Sequence, residues 1–191
     1  MAALLGPLLS LPTTSWAGGT DARTLKASNV SVKIQGTSTL HGWQASARAI
    51  TVTASIKPGG SGLLDEVSKK GLASLDLVLG VDSLKSTESK SMDKNMRHDM
   101  DSDKFPEIRF SMKSYKLKGL NVTAQGDLSI HGTTKPVTLT GLLASKAGGL
   151  LVTGNYPLLM SAYGIKPPVM MFGTVKVADP VKIVFSFLLS E

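Results

Sequence analysis

Two adjacent stretches of the chain alternate apolar and polar residues, and this alternation constrains the fold more than any other feature. The stretches cover residues 108–112 and 120–130. A period of two with one apolar face is typical of antiparallel strands that are buried on one side and solvated on the other. The Lys118-Gly119 step between them indicates a turn, so the two stretches predict a β-hairpin. Its apolar face consists of Ile108, Phe110, Met112, Leu120, Val122, Ala124, Gly126, Leu128 and Ile130.

The same alternation predicts further strands on both sides of this hairpin. They cover residues 30–35, 37–45, 50–56, 74–79, 137–145, 150–156 and 181–189. Short helices are expected at residues 63–70 and 89–100, the second because Met92, Met96 and Met100 recur at a spacing of four. Residues 157–173, which include Pro167-Pro168, are expected to form a long irregular link. Many short strands separated by turns indicate an all-β sandwich or barrel, and the period alone does not distinguish the two.

The length and composition favour one domain with an ordinary apolar core. A chain of 191 residues can bury about 70% of its unfolded surface, so it needs no disulfides, and it contains no cysteine. The formal charge of +7 favours acidic partners such as phosphate head groups or anionic membranes. However, the lysines are scattered along the solvent faces of the strands, as on an ordinary soluble surface. Aromatic residues make up only 5% of the chain, too few for a base-stacking platform, so no nucleic-acid partner is expected.

The N-terminal residues are similar to a secretory leader. A short leucine-rich run precedes the small residues around Ala17, so residues 1–17 are interpreted as a signal peptide. The basic segment that usually opens a leader is missing, which leaves an apolar tail without a targeting role as the alternative. The run is too short, and too broken by Pro7 and Pro12, to span a bilayer. Residues 18–28 then form a polar lead-in, and residues 29–191 form the domain.

Several motifs together resemble the YceI-like family, over roughly residues 29–190. They are Ser38–Trp43 (STLHGW), Arg97 near the end of a polar helix, Phe105–Phe110 (FPEIRF), Gly126–Val137 (GDLSIHGTTKPV) and Tyr163–Ile165 (YGI). Members of this family are periplasmic lipid-binding proteins. The resemblance implies an all-β fold, an antiparallel eight-stranded lipocalin-like β-barrel with a short helix over one end. It also implies a periplasmic or secreted location.

The residues with metal-binding chemistry do not form a recognised motif. His41, His98 and His131 are widely spaced, and no HExxH pattern occurs. The methionines around His98 could hold Cu(I), but a methionine stripe at helical spacing is more often a packed face. No metal site and no cofactor are therefore expected, apart from a bound lipid or quinone as ligand.

A catalytic role is not expected either. The chain has no G-x-S-x-G motif, no cysteine nucleophile and no glycine-rich phosphate loop. A Ser/His/Asp site assembled in space stays open, but no local pattern supports one. The steps His41-Gly42 and His131-Gly132 lie at predicted strand ends, where Gly suits a turn. The alternative is that one of these histidines faces the barrel mouth and touches a polar ligand.

The predicted inward faces supply the candidate site. Its apolar residues are Trp43, Leu75, Leu77, Ile108, Phe110, Met112, Leu128 and Ile130. Ala124 and Gly126 are small and inward, so they either let strands pack closely or leave room for a ligand. Because the inward side chains of this strand are small at its middle, between Val122 and Leu128, they favour a cavity. The resemblance implies an apolar tunnel.

Energetics favour a long ligand for such a tunnel. Each buried methylene contributes about 0.8 kcal/mol, whereas association costs about 4–15 kcal/mol. Burial of about ten methylenes therefore gains about as much free energy as association costs. A longer chain gains more than this cost and binds with a net favourable free energy. The family's association with polyisoprenoids and quinone side chains agrees. Candidates to meet a phosphate or quinone head group are Arg97, His98, His131 and Lys135.

The sequence thus predicts a non-catalytic protein that binds a polyisoprenoid or isoprenoid quinone in the barrel interior. Transport or storage of this lipid is a possible extension of that function. The alternative is a structural or interaction protein with a filled barrel core that acts through its basic surface. Peripheral contact with a membrane and a homodimer stay open as further associations.

Overall fold

The computed structural model describes residues 22–191, and the expected signal peptide at residues 1–17 lies outside this range. Strands dominate. They are β1 (Arg23–Thr37), β2 (Gly42–Ser46), β3 (Ile50–Ile56), β4 (Leu72–Gly80), β5 (Lys85–Ser86), β6 (Glu107–Lys118), β7 (Asn121–Ile130), β8 (Thr133–Lys146), β9 (Gly149–Leu159), β10 (Val169–Met170), β11 (Val175–Lys176) and β12 (Pro180–Ser190). The helices are α1 (Leu63–Ser68) and α2 (Lys90–Asp99).

Eight of these strands close into an antiparallel barrel, which confirms the predicted fold class. The strands follow one another in the order β12-β9-β8-β7-β6-β4-β3-β1, and β1 also pairs with β12. Strand β2 pairs with the far half of β1, through Lys33 to Thr37, and β5 extends from β2. Strands β10 and β11 form a separate two-stranded hairpin. Closure removes the unpaired edges that an open sheet would present.

Several element boundaries differ from the sequence predictions. Strand β1 starts at Arg23, so the polar lead-in expected up to residue 28 is in part the first barrel strand, and the domain boundary at residue 29 is too late. Strand β2 starts only at Gly42, because Ser38 donates its backbone N–H to the His41 carbonyl at 2.9 Å and closes a turn. The expected irregular link is also too long, since β9 continues to Leu159 and the link contains the β10–β11 hairpin.

A β-bulge in β6 changes which residues face the barrel interior. Met112 pairs with Gly126, but Ser114 pairs with Gln125, so Lys113 is the extra residue. Before the bulge, the even-numbered residues Phe110 and Met112 face the interior, whereas beyond it the odd-numbered Tyr115 does. A bulge of this kind bends a strand and increases its twist, which helps a sheet to close.

Helix α1 closes one end of the barrel. Its Val67 is buried, and the Tyr115 hydroxyl donates a hydrogen bond to the Val67 carbonyl at 2.6 Å. The buried carboxylate of Glu66 accepts a hydrogen bond from the Arg23 guanidinium at 2.7 Å. Arg23 also contacts Glu191 at 2.7 Å. The start of β1 and the helix are thereby held together at this end.

Helix α2 lies over the opposite end, and its predicted extent is confirmed within one residue at each end. Ser89 is the N-cap, with its hydroxyl oxygen accepting from the Met92 backbone N–H at 3.2 Å. The buried Asp93 accepts a hydrogen bond from the Ser86 backbone N–H at 2.6 Å and ties the helix to β5. Within residues 22–191, no helix is long and apolar enough to cross a membrane.

We predict that Glu66→Gln lowers the melting temperature at pH 7 by a few degrees, because it removes one charge of the ion pair that holds α1. The Arg23 hydrogen bond keeps the pKa of Glu66 below its usual value of 4.5. A lowered carboxyl pKa stabilises the fold above the unfolded pKa, and this contribution is lost as the pH falls through the folded pKa. The difference from wild type should therefore shrink below about pH 4.5.

The matched control is Glu107→Gln, which removes a carboxylate that pairs with Arg109 in solvent. Exposed pairs of this kind contribute little, so its melting curve should follow wild type. A Glu66→Gln variant with the same pH profile as wild type would contradict a role for the ion pair in holding α1.

Candidate functional site

The open end of the barrel contains a cavity of about 340 Å³, here called the outer cavity. The strand ends supply Ile34, Trp43 and Ile130 to its wall, and the β10–β11 hairpin supplies Met170. Helix α2 covers it with one face, made of Met92, Asn95, Met96, Asp99 and Met100. The methionine stripe is therefore a packed face that also forms a cavity wall.

A second cavity of about 130 Å³, the inner cavity, lies deeper and is closed by α1. Val67 and Leu72 form its floor, together with Tyr115. The Tyr115 hydroxyl is satisfied, since it donates to Val67 and accepts from the Leu72 backbone N–H at 3.3 Å. Burial raises the pKa of Tyr115, so this phenol stays neutral. Among the described residues, no charged side chain lines the inner cavity.

The two cavities meet at three isoleucines that line both of them, Ile34, Ile108 and Ile183. Ile34 and Ile183 are directly paired across β1 and β12, and Ile108 comes from β6, which is not a neighbour of either strand. The residues common to both cavity walls are thus aliphatic, and the two cavities follow one another from the open end toward α1.

All eight predicted interior residues lie on the cavity walls. Trp43 and Ile130 line the outer cavity, and Ile108 lines both. The inner cavity is lined by Leu75, Leu77, Phe110, Met112 and Leu128. Their contact with a ligand stays a prediction.

The small inward residues on β7 have different roles. Ala124 lines the inner cavity, whereas Gly126 leaves no free space, because a Cβ atom there would lie 2.7 Å from the Phe110 ring. Two further aromatic rings lie over strand glycines in the same way. They are Trp43 over Gly36 and Phe185 over Gly154. These glycines give the rings room to pack directly against the backbone of the neighbouring strand.

None of the four predicted head-group residues lines either cavity. The His98 side chain is 87% exposed and contacts Asp99 at 3.3 Å. Arg97 is half-buried beside it on α2. Contact of these residues with a ligand head group is untested and stays a prediction.

His131 and Lys135 form part of a packed cluster around Tyr163. His131 and Gly132 have φ values of 49° and 70°, as in a two-residue hairpin turn of the primed type. The His131 ring packs edge-on against Phe105 at 4.9 Å, and its Nδ1 lies 3.2 Å from the Tyr163 carbonyl oxygen. Lys135 lies over the Tyr163 ring, whose burial raises the pKa of the phenol to about 12. The turn interpretation thus fits the His131-Gly132 step.

Other polar residues, which the sequence reasoning missed, stand at the rim of the outer cavity. Asn95 and Asp99 lie on the cavity face of α2, and Glu88 precedes that helix. His41 also lines this cavity, so of the two His-Gly steps it is this one that faces the mouth. The methionine spacing could have revealed Asn95 and Asp99, because both fall on the same helical face as Met92 and Met96. Within residues 22–191, no cluster of three His, Cys, Asp or Glu residues is arranged to hold a metal ion.

We predict that Gly36→Ala displaces Trp43 from the wall of the outer cavity. An added Cβ would lie 2.3 Å from the indole, so the ring must move, at a cost of about 1–3 kcal/mol. In a Trp16→Phe background, Trp43 is the sole tryptophan and its emission should shift. The neighbouring variant Gly42→Ala is the control, because its added Cβ has only a backbone oxygen at 3.7 Å. Equal spectra for the two variants would refute this packing arrangement.

Comparisons with known proteins agree with this architecture. The family model for the YceI-like domain matches residues 22–189. Burkholderia cenocepacia BcnA is 17% identical, with a TM-score of 0.67 over 85% of this chain and 96% of its own. The Campylobacter jejuni YceI protein is 17% identical, with a TM-score of 0.61 over 77% of this chain and 84% of its own.

A third solved structure is a polyisoprenoid binding domain from Saccharophagus degradans, implicated in plant cell wall breakdown. It is 12% identical, with a TM-score of 0.60 over 90% of this chain and 98% of its own. No curated protein matches the sequence. The family model spans almost all of the described residues, and the barrel has the fold of these solved structures. The chain therefore belongs to the YceI-like family.

Proposed function

We propose that the barrel binds one long apolar lipid, a polyisoprenoid or an isoprenoid quinone, with its chain along the barrel axis. The observation that carries the proposal is the pair of apolar cavities that meet at Ile34, Ile108 and Ile183. A chain entering at α2 passes these isoleucines and ends at α1. The polyisoprenoid binding described for the Saccharophagus domain of the same fold supports this ligand class.

The cavity volumes fit this mode of binding. The outer cavity of about 340 Å³ lies near the lower end of the usual range for ligand pockets, about 300–1,000 Å³. The inner cavity of about 130 Å³ is too small to be a pocket by itself, but it extends the outer one. A ligand that occupies both must be narrow where it passes the isoleucines, as an unsaturated hydrocarbon chain is. A bulky polycyclic ligand would be stopped there.

The rim favours a neutral polar group at the outer end of the ligand. The carboxylates of Glu88 and Asp99 stand at the mouth, and they would repel a phosphate. The Asn95 side-chain amide also lines the mouth and can donate a hydrogen bond to an alcohol or a quinone oxygen. An isoprenoid alcohol or quinone therefore fits better than an isoprenoid diphosphate.

We propose a binding role without catalysis, with transport or storage of the lipid as its purpose. The polar groups of the site lie at the rim, and the walls that would enclose the chain are apolar. This arrangement suits capture and release, which need no reactive group beside the chain. A periplasmic or secreted location belongs to the same proposal and rests on the leader-like residues 1–17 and on family membership.

The filled-core alternative is less well supported. The rings of Trp43, Phe110 and Phe185 do occupy part of the interior, but the two cavities remain beside them. This alternative relies on the basic surface alone, and a formal net charge of +7 for the whole chain does not by itself require a filled core. If the barrel takes up no lipid, that result would favour a function of the basic surface.

We predict that Ala124→Phe shortens the longest isoprenoid chain that the protein binds. The added ring would occupy the inner cavity that Ala124 lines. Each excluded methylene removes about 0.8 kcal/mol, so two of them weaken binding of a long chain roughly tenfold. A short chain that ends in the outer cavity should bind as in wild type. Titrations with isoprenoid alcohols of increasing length measure both effects.

The control is Gln125→Phe, which places the same ring on the exposed face of the same strand. Its binding should match wild type for every chain length. Equal weakening of short and long chains by Ala124→Phe, with a normal melting curve, would contradict the proposed path of the chain.

A further inference from the structure

The β10–β11 hairpin carries a group of exposed apolar side chains beside the cavity mouth. Met171 is 70% exposed, and Phe172 is fully exposed at 112%. Val169 and Met170, in β10, are exposed as well. Exposed apolar residues that cluster in this way mark an interaction surface, whereas single ones do not.

The backbone of this tip is unusual for such residues. Met171 and Phe172 have φ values of 50° and 53°, and Gly173 follows at 93°. Positive φ is uncommon for residues other than Gly, Asn and Asp. The hairpin itself is fixed, because Met170 pairs with the buried Val175 and Val169 pairs with Lys176. The hairpin thus presents two large apolar side chains at backbone positions whose positive φ values are more usual for Gly, Asn or Asp.

The same side chains are continuous with the outer cavity. Met170 and Met171 line its mouth, and so does Leu40, which is also exposed. Asn95 of α2 touches Met170, with its side-chain nitrogen 4.0 Å from the sulfur. A ligand leaving the cavity would therefore pass over the apolar tip before it reached water.

Positive charge flanks the tip. Lys166 precedes the hairpin and Lys176 ends it, and residues 160–178 contain no acidic residue. Lys94 lies next to Asn95 on α2. All three lysines are exposed, and within residues 22–191 none of them forms an ion pair. The carboxylates of Glu88 and Asp99 line the cavity mouth, whereas the hairpin and the residues beside it carry lysines and no acidic residue, so it is the hairpin tip that is complementary to a bilayer with anionic head groups.

We propose that the β10–β11 hairpin docks the protein on an anionic lipid bilayer. Met171 and Phe172 enter the boundary between head groups and acyl chains, and the lysines contact the anionic head groups. The mouth of the outer cavity then faces the membrane, so that a long lipid passes between bilayer and barrel without crossing water. This last step rests on the proposed function, whereas the docking itself does not.

A bilayer fits this surface better than a second copy of the chain. A stable interface between proteins buries about 800 Å² on each partner, usually over a broad and complementary patch. Here the apolar residues form a narrow protruding tip, and a two-fold axis through it would bring the lysines of both copies together. A fluid bilayer accepts a protruding tip without needing a matching surface.

The test is co-sedimentation of the protein with vesicles of phosphatidylcholine containing phosphatidylglycerol. Wild type should bind these vesicles, and bind pure phosphatidylcholine vesicles more weakly. Phe172→Asn should reduce the partitioning about tenfold, because it removes a large apolar side chain from the membrane. Asn tolerates positive φ, so the hairpin should keep its shape. A normal melting temperature of the variant verifies its fold.

The matched control is Leu142→Thr, which removes an apolar side chain that is 54% exposed on β8, near the closed end of the barrel. It should bind vesicles as wild type does. Vesicle binding that Phe172→Asn leaves unchanged, or that Leu142→Thr weakens equally, would overturn the docking proposal.

A second measurement separates this inference from the proposed function. Uptake of farnesol from solution, followed by Trp43 emission in the Trp16→Phe background, needs no membrane. Phe172→Asn should keep this uptake while it loses vesicle binding, and that result supports docking. Vesicle binding that depends on Phe172 without any farnesol uptake would support docking and contradict lipid binding in the barrel. Farnesol uptake without vesicle binding by wild type would contradict docking alone.

Discussion

The pairing of β12 with β1 is the interaction on which the rest of the structure depends. These two strands lie at opposite ends of the chain, and their ladder runs from Lys26 opposite Ser190 to Gln35 opposite Lys182. It converts an open sheet into a barrel and gives the inward side chains a shared interior. It also places Ile34 beside Ile183, where the two cavities meet. Without closure, the apolar face of the sheet would be a surface and would enclose no cavity.

The two ends of the barrel are built differently, and this asymmetry gives the interior a direction. At one end, α1 is held by the Arg23–Glu66 ion pair and by the Tyr115 hydroxyl. At the other end, α2 and the β10–β11 hairpin surround a mouth with polar residues at its rim. A linear ligand with one polar end therefore has one favourable orientation, with its chain toward α1. The aromatic rings that lie over strand glycines form part of the cavity walls between these ends.

Much of this arrangement could be predicted from the sequence, because the alternation of apolar and polar residues along a strand indicates which side chains are buried. The alternation through Ile108 and Phe110 placed the interior face correctly, and the methionine spacing located α2. Strand closure could be predicted only from the family resemblance, and the bulge at Lys113 and the packing of Phe110 over Gly126 could not be predicted, since all three depend on residues far apart in the chain. The rim residue Asn95 was missed although it shares a helical face with Met92 and Met96, because only the packing of α2 over the barrel places that face on the cavity.

The central claim is that the barrel holds one long isoprenoid chain. Native mass spectrometry of the purified protein, followed by solvent extraction and identification of the lipid, tests it most directly. We expect one isoprenoid alcohol or quinone per chain, or uptake of one when such lipids are offered. A protein that is isolated empty and takes up none of them would contradict the claim.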